Sequence, residues 1–168
     1  MSRAMGLPPG LPDIYGMAVR IPLSDEERDD GDTGQDRGWA DLLFASTGEN
    51  ALGRFVLRLR PSSAVGPLTT LLPVRTPAGP LLLRLAPLTP STGDHLTPPL
   101  TMSVSCAFGT GRWMPLGTMQ LGAEVTDHEH DRHDPIRHQL PGTEQYSWVE
   151  RLREPAYRSA RRRGPLDV

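Results

Sequence analysis

Apolar and polar positions alternate with period two over much of this chain. At 16–22, Met17, Val19 and Ile21 fall on one side and Ala18 and Arg20 on the other, which predicts a half-buried strand. At 101–108, Met102, Val104, Cys106 and Phe108 alternate with Thr101, Ser103, Ser105 and Ala107, the clearest strand pattern in the sequence. Residues 40–46 hold the apolar run Leu42-Leu43-Phe44-Ala45, which fits a strand covered on both faces. At 53–60, Phe55, Leu57 and Leu59 alternate with Arg54, Arg58 and Arg60. The pairs Arg54/Arg58 and Phe55/Leu59 also have helical spacing, so the period does not separate strand from helix there. Residues 68–75 and 81–88 flank Thr76-Pro77-Ala78-Gly79, whose proline and glycine positions suit a β-turn and make a second hairpin. Gly109-Thr110-Gly111 turns the chain into 113–121, where Trp113, Met119 and Leu121 are expected to face inward. In the tail from Gln145 to Arg163, Trp148, Val149 and Leu152 have helical spacing, so a short helix is expected to stop near Pro155.

The resulting expectation is mainly β: about seven strands in sequential hairpins and one late helix, arranged as an antiparallel barrel or highly curved sheet. Residues 1–143 form the barrel domain and 144–168 the C-terminal helix and Arg-rich tail. Residues 1–14 are punctuated by proline and glycine and read as extended chain. Residues 24–38 carry seven acidic residues, two arginines and three glycines, a composition expected to leave a disordered acidic surface loop. Residues 90–100 and the His-rich 125–143 read as loops.

Composition sharpens this picture. Aromatics are 5% of the residues, so Leu, Val and Met must fill the core, while 18 Pro and 17 Gly favour short strands and turns over long helices. All 18 basic residues are arginine, which is read as the codon bias of a GC-rich bacterial genome. A net charge of -2 gives no bulk attraction for nucleic acid or an acidic membrane. Cys106 is the one cysteine, which excludes an internal disulfide and a four-cysteine zinc site. No apolar run is long enough to span a membrane, and no signal-peptide pattern opens the chain, so a cytoplasmic protein is expected.

The richest side-chain chemistry lies in Asp127-His-Glu-His-Asp-Arg-His-Asp134, with His138 nearby. Alternating imidazoles and carboxylates suit zinc or another divalent metal, and the candidate ligands are His128, His130, Asp131 and His133. The run approaches His-x-His-x-Asp-His, the signature of metallo-β-lactamase-type hydrolases and phosphodiesterases. There Asp directly precedes the last His; here Arg132 stands in that place and Asp131 one position early. A solvated polar loop, an adventitious metal site and a catalytic one are the three readings open at this point. Cys106, on an apolar face, reads as a buried inert thiol. The arginines of 53–60, with Arg75 and Arg84, suit a carboxylate or phosphate, and equally a solubilising outer face paired with the acidic loop. The tail arginines Arg151, Arg153, Arg158, Arg161, Arg162 and Arg163 have no interleaved aromatics and read as solvated rather than as a nucleic-acid surface.

Several of these stretches together resemble the catalase core barrel. Gly16-Met-Ala-Val-Arg20 resembles the Gly-Phe-Ala-Val-Lys strand of catalases. Trp39 and Asp41-Leu-Leu-Phe-Ala-Ser-Thr-Gly48 resemble Trp-Asp-Leu-Val-Gly-Asn-Asn-Thr-Pro, and Trp113-Met-Pro-Leu-Gly-Thr-Met-Gln-Leu121 resembles Pro-Val-Gly-Lys-Leu-Val-Leu. The match spans roughly residues 2–122 with large deletions. The chain is more closely similar to small haem-less catalase-like proteins of GC-rich bacteria, to which a phosphodiesterase activity is often attributed. The resemblance implies a ligand or vestigial haem site at the barrel mouth near Ala45, Ser46 and Thr47. It also implies loss of catalase activity. The distal His of catalases lies upstream of the first matching strand, and Ala45 and Ser46 stand where the paired Asn positions would be. Arg153-Glu-Pro-Ala-Tyr157 keeps the Arg-x-x-x-Tyr spacing of the haem-ligating tyrosine, with Pro155 interrupting the helix that would carry it. A barrel that begins at this strand has open edges, so either an upstream segment precedes it or two copies pair as a homodimer.

Overall fold

The structure is a computed structural model. It describes residues 2–8, 11–24, 38–61, 66–88, 99–122, 133, 135, 138–149 and 151. The strands are β1 (Ser2–Arg3), β2 (Tyr15–Pro22), β3 (Trp39–Ser46), β4 (Leu68–Thr69), β5 (Val74–Thr76), β6 (Gly79–Pro87), β7 (Leu100–Phe108) and β8 (Met114–Leu121). They make one antiparallel sheet in the order β1-β2-β3-β4-β6-β7-β8, with β5 also on β6, curved into an open half-barrel. Residues 147–149 and 151 are helical, the short C-terminal helix the sequence predicts. No described helix is long and apolar enough to cross a membrane.

Register decides which residues share a face. Met17 lies opposite Phe44, Leu85 opposite Val104, and Met102 opposite Met119. These rows put Tyr15, Met17, Phe44, Leu68, Leu83, Leu85, Leu100, Met102 and Cys106 into one buried cluster, with Val19, Leu42, Met119 and Leu121 packed against it. Met17, Val19, Met102, Val104 and Cys106 therefore point inward as read, and Cys106 is buried, but Phe108 at the end of β7 is exposed, and Ser105 and Ala107 of the other face are buried as well. Burying a side chain of the size of Leu or Met contributes about 1.5–3 kcal/mol, so this row of nine residues is the main source of the fold's stability.

Three sequence expectations change. Residues 53–60 form no strand: Gly53–Phe55 is a 3-10 turn, and the rest is extended chain joined to the sheet through the bridges Thr47↔Leu57 and Asp13↔Arg60. Nor do the expected faces hold: Leu57 and Leu59 are exposed together with Arg58, Phe55 is half-buried, and Arg54 and Arg60 are buried. The strand expected over 68–75 breaks between Thr69 and Val74. Thr70 still pairs with Leu83 through its backbone N–H and its hydroxyl, but Leu71 adopts φ 57° and Pro73 has no N–H to donate. Trp113, expected in the core, lies against two arginines. The acidic loop falls almost wholly outside the described residues.

Candidate anion-binding site

The opposite face of the sheet carries polar groups. Ala45, Thr69, Arg84 and Ser105 occupy successive register positions across β3, β4, β6 and β7. Thr69 and Ser105 are buried. The 3-10 turn lays Arg54 near this row, and the link from β7 to β8 brings in Trp113. Gly109, at φ 54°, allows that link to turn tightly, and its carbonyl accepts from Arg54 Nη1 at 3.3 Å.

The Arg54 guanidinium carbon lies 4.3 Å from the Trp113 ring centroid, and that of Arg84 lies 4.9 Å away. Arg84 Nη2 donates to Ser105 Oγ at 3.4 Å. Three further donors, Arg54 Nε, Arg84 Nε and Trp113 Nε1, are buried without a hydrogen-bond partner. Among the described residues no carboxylate pairs with either arginine. Burial, and then the neighbouring charge of Arg84, push the Arg54 guanidinium below its ordinary pKa. Arginine nevertheless stays a cation in proteins. Two like charges and three idle N–H groups thus share one enclosed spot. Each idle buried donor costs about 1–3 kcal/mol. An acceptor-rich anion is the chemical partner this set lacks, and guanidinium forks match carboxylate and phosphate oxygens.

The residues expected at the barrel mouth lie beside this cluster, and Ser46 and Thr47 take part in hydrogen bonds of the fold. Ala45 is half-buried; Ser46 and Thr47 are enclosed. Ser46 Oγ accepts from Tyr15 N–H at 3.0 Å and donates to the Arg58 carbonyl at 2.8 Å. Thr47 and Thr69 share a hydroxyl–hydroxyl bond of 2.9 Å, and Arg60 Nη2 donates to the Thr47 carbonyl at 3.0 Å. Gly66 makes room for Arg60: a Cβ there would sit 2.5 Å from the guanidinium, and its φ is +78°. Asp13 ties in the N-terminal segment by accepting from the N–H groups of Met5, Leu7 and Ile14.

A second polar cluster surrounds Asp41 on β3. The carboxylate is enclosed and accepts from Arg20 Nε at 2.7 Å and Nη2 at 3.0 Å. His133 Nδ1 stands 3.2 Å from Oδ1 and His138 Nδ1 2.9 Å from Oδ2. The Asp41 N–H also donates to the His138 carbonyl at 2.8 Å. Of the four nominated metal ligands, His133 is therefore placed against Asp41. His128, His130 and Asp131 lie outside the described residues, as do Arg153 and Tyr157. Among the described residues no three His, Cys, Asp or Glu groups gather to hold a metal ion. Beside Asp41, a cleft of 40 Å³ lined by Leu43, Thr70, Val74, Leu140 and Gln145 has room for a water or two rather than a ligand.

Arg54 and Arg84 were both within the arginine set that the sequence nominated for anions. Trp113, Ser105 and Asp41 were not nominated. Asp41 had a legible signal, since a β2–β3 hairpin sets it directly opposite Arg20. Trp113 had none, because its place depends on a turn geometry that alternation does not encode. No family model matches the chain, and no curated protein or solved structure is significantly similar to it.

Proposed function

We propose that this protein is a small-ligand-binding β-barrel whose ligand carries an oxyanion, a carboxylate or a phosphate, held by Arg54, Arg84 and Trp113. The observation that carries this is the convergence of three buried, unpartnered N–H donors, one each on Arg54, Arg84 and Trp113, with no carboxylate among the described residues paired with either arginine. Arg84 and Trp113 are half-buried, and Thr110, Gly111 and Arg112, which precede Trp113 in the chain, are exposed, so the ligand would enter from the side of that turn. Bound there, the oxyanion takes hydrogen bonds from the idle donors and offsets the repulsion between the guanidinium groups.

The reading fits a catalase-like barrel without catalase activity. Haem carries carboxylates that paired arginines suit, which makes it one of the probes. Tyr157, the residue the resemblance nominates for its iron, lies outside the described residues, so no step is derived through haem. The test is thermal unfolding of the full chain with inorganic phosphate, with a dicarboxylate, and with haem followed by its Soret band. A saturable rise in Tm with one of them, absent in Arg84→Met, is the expected result. Unchanged Tm with all three, at concentrations up to tens of millimolar, refutes the proposal.

A further inference from the structure

The sheet ends on β8, whose outer edge offers a surface independent of the anion reading. β8 pairs with β7 on one side, and among the described residues no strand pairs with its other side. Register decides which backbone groups face that side. The Leu88 N–H donates to the Thr101 carbonyl at 3.0 Å, so Thr101 turns its backbone groups toward β6. Antiparallel pairing alternates, so Ser103 does the same, while Leu100, Met102 and Val104 turn theirs onto Leu121, Met119 and Gly117. Thr118 and Gln120, opposite Ser103 and Thr101, therefore direct N–H and C=O to the open side. Both residues are exposed, and among the described residues neither has a further partner.

Edge strands avoid pairing with other chains by being short, charged, bulged or interrupted by proline. At the opposite end of the sheet, β1 is only two residues long. In β8 such devices blunt the first half alone: a register shift falls at Val104/Ser105, and Pro115, opposite Ser105, has no N–H to offer. No charged residue occurs in 113–122, so nothing of this kind protects 117–121.

We propose that β8 pairs antiparallel with β8 of a second copy of this chain, about a two-fold axis at Met119. Thr118 then exchanges both backbone hydrogen bonds with Gln120 of the partner subunit, and Gln120 does so with Thr118 of the partner subunit. Met119 meets its own counterpart as a close, non-hydrogen-bonded pair. The strand fits itself: its outward donors and acceptors fall symmetrically about Met119, and with no charge in it no like charges are set opposite one another. Met119 and Leu121 each pack on the core cluster of their own chain, so the pairing runs one core into the next. Both copies use the same edge, which closes the assembly at two. The ladder is short, so the dimer should come apart on dilution.

The experiment is sedimentation of the full chain from dilute solution to the solubility limit, with amide hydrogen exchange at both ends of that range. The mass should rise from one chain to two. The Thr118 and Gln120 amides should gain protection with concentration, while the Met119 amide, already turned to β7, should not. Thr118→Pro removes an outward donor without touching the β7 ladder, and should stay monomeric. Thr118→Lys with Gln120→Lys, at two exposed sites, sets like charges across the axis and should do the same if the proline variant fails to fold. A chain that is monomeric throughout, a dimer that survives the lysine variant, or Thr118 and Gln120 protection independent of concentration, as a segment of the same chain on this edge would give, each overturns the proposal.

Discussion

Replacing Arg54 by methionine separates a ligand site from a structural one. The two guanidinium carbons lie 4.3 and 4.9 Å from one ring centroid, so the charges are no more than about 9 Å apart. At an effective dielectric of about 20 they repel by about 2 kcal/mol or more. Arg54→Met removes that repulsion and one idle buried donor, which costs about 1–3 kcal/mol. It gives up a cation–π contact, worth about 0.5–2 kcal/mol, and a charged hydrogen bond to Gly109, worth about 1.5–3 kcal/mol. Methionine keeps most of the apolar stem in the same space. The gains and losses are of equal size, so the free protein should unfold within a few degrees of the wild type. Ligand response should differ sharply. An anion at 100 times its dissociation constant stabilises the wild type by about 2.7 kcal/mol. For a chain of 168 residues that is a rise in Tm of about 5–11 °C. Arg54→Met should show none of it. The assay is thermal unfolding followed by circular dichroism, with and without phosphate or dicarboxylate. A variant several kcal/mol less stable than wild type, together with a wild type indifferent to anions, would refute the reasoning: the arginines would then be structural.

Other expectations follow from the same structure. Leu82, fully buried, should lose about 2–5 kcal/mol on truncation to alanine. Leu59, exposed, should tolerate Leu59→Ser within about 0.5 kcal/mol; urea unfolding checks both, and the opposite order would restore the face assignment the alternation suggested. Burial pushes the Asp13 carboxyl up, but the N–H groups of Met5, Ile14 and Leu7 and the charge of Arg3 outweigh it, and its pKa falls below 3.8. A depressed carboxylate contributes stability above its unfolded pKa of about 3.9. That contribution is lost as pH falls through the folded value. Acid unfolding of Asp13→Asn should therefore diverge least from wild type at the lowest pH, and a difference that grows towards low pH would contradict the direction.

The strands that alternate cleanly could be read because a buried sheet face demands it: Met17 and Val19, or Met102 and Cys106, leave one choice of inward side. Alternation at 53–60 showed neither which residues share a side nor which side is inside, since Arg54 and Arg60 are buried while Leu57, Arg58 and Leu59 are all exposed. The arginines looked solvent-facing, yet Arg54 has an indole to lie against and Arg60 has the Thr47 carbonyl. Those partners are supplied by distant segments, so nothing local in 53–60 announces them. The break at Leu71 is a similar case. Thr70 takes over the pairing with Leu83, an event set by register and invisible in the apolar run. The Asp41 cluster was half legible: the hairpin dictates the Arg20 partner, while the approach of His133 and His138 is a long-range contact no local pattern predicts.

The central claim is that the idle donors beside Trp113 receive an anion. The chain has three tryptophans, so its ¹⁵N–¹H spectrum holds three indole N–H signals. Titration with phosphate and with a dicarboxylate should move one of them saturably, as its N–H gains an acceptor, and Trp113→Phe should delete that signal. If the signal lost in Trp113→Phe stays fixed while either anion is added to saturation, the site does not bind oxyanions.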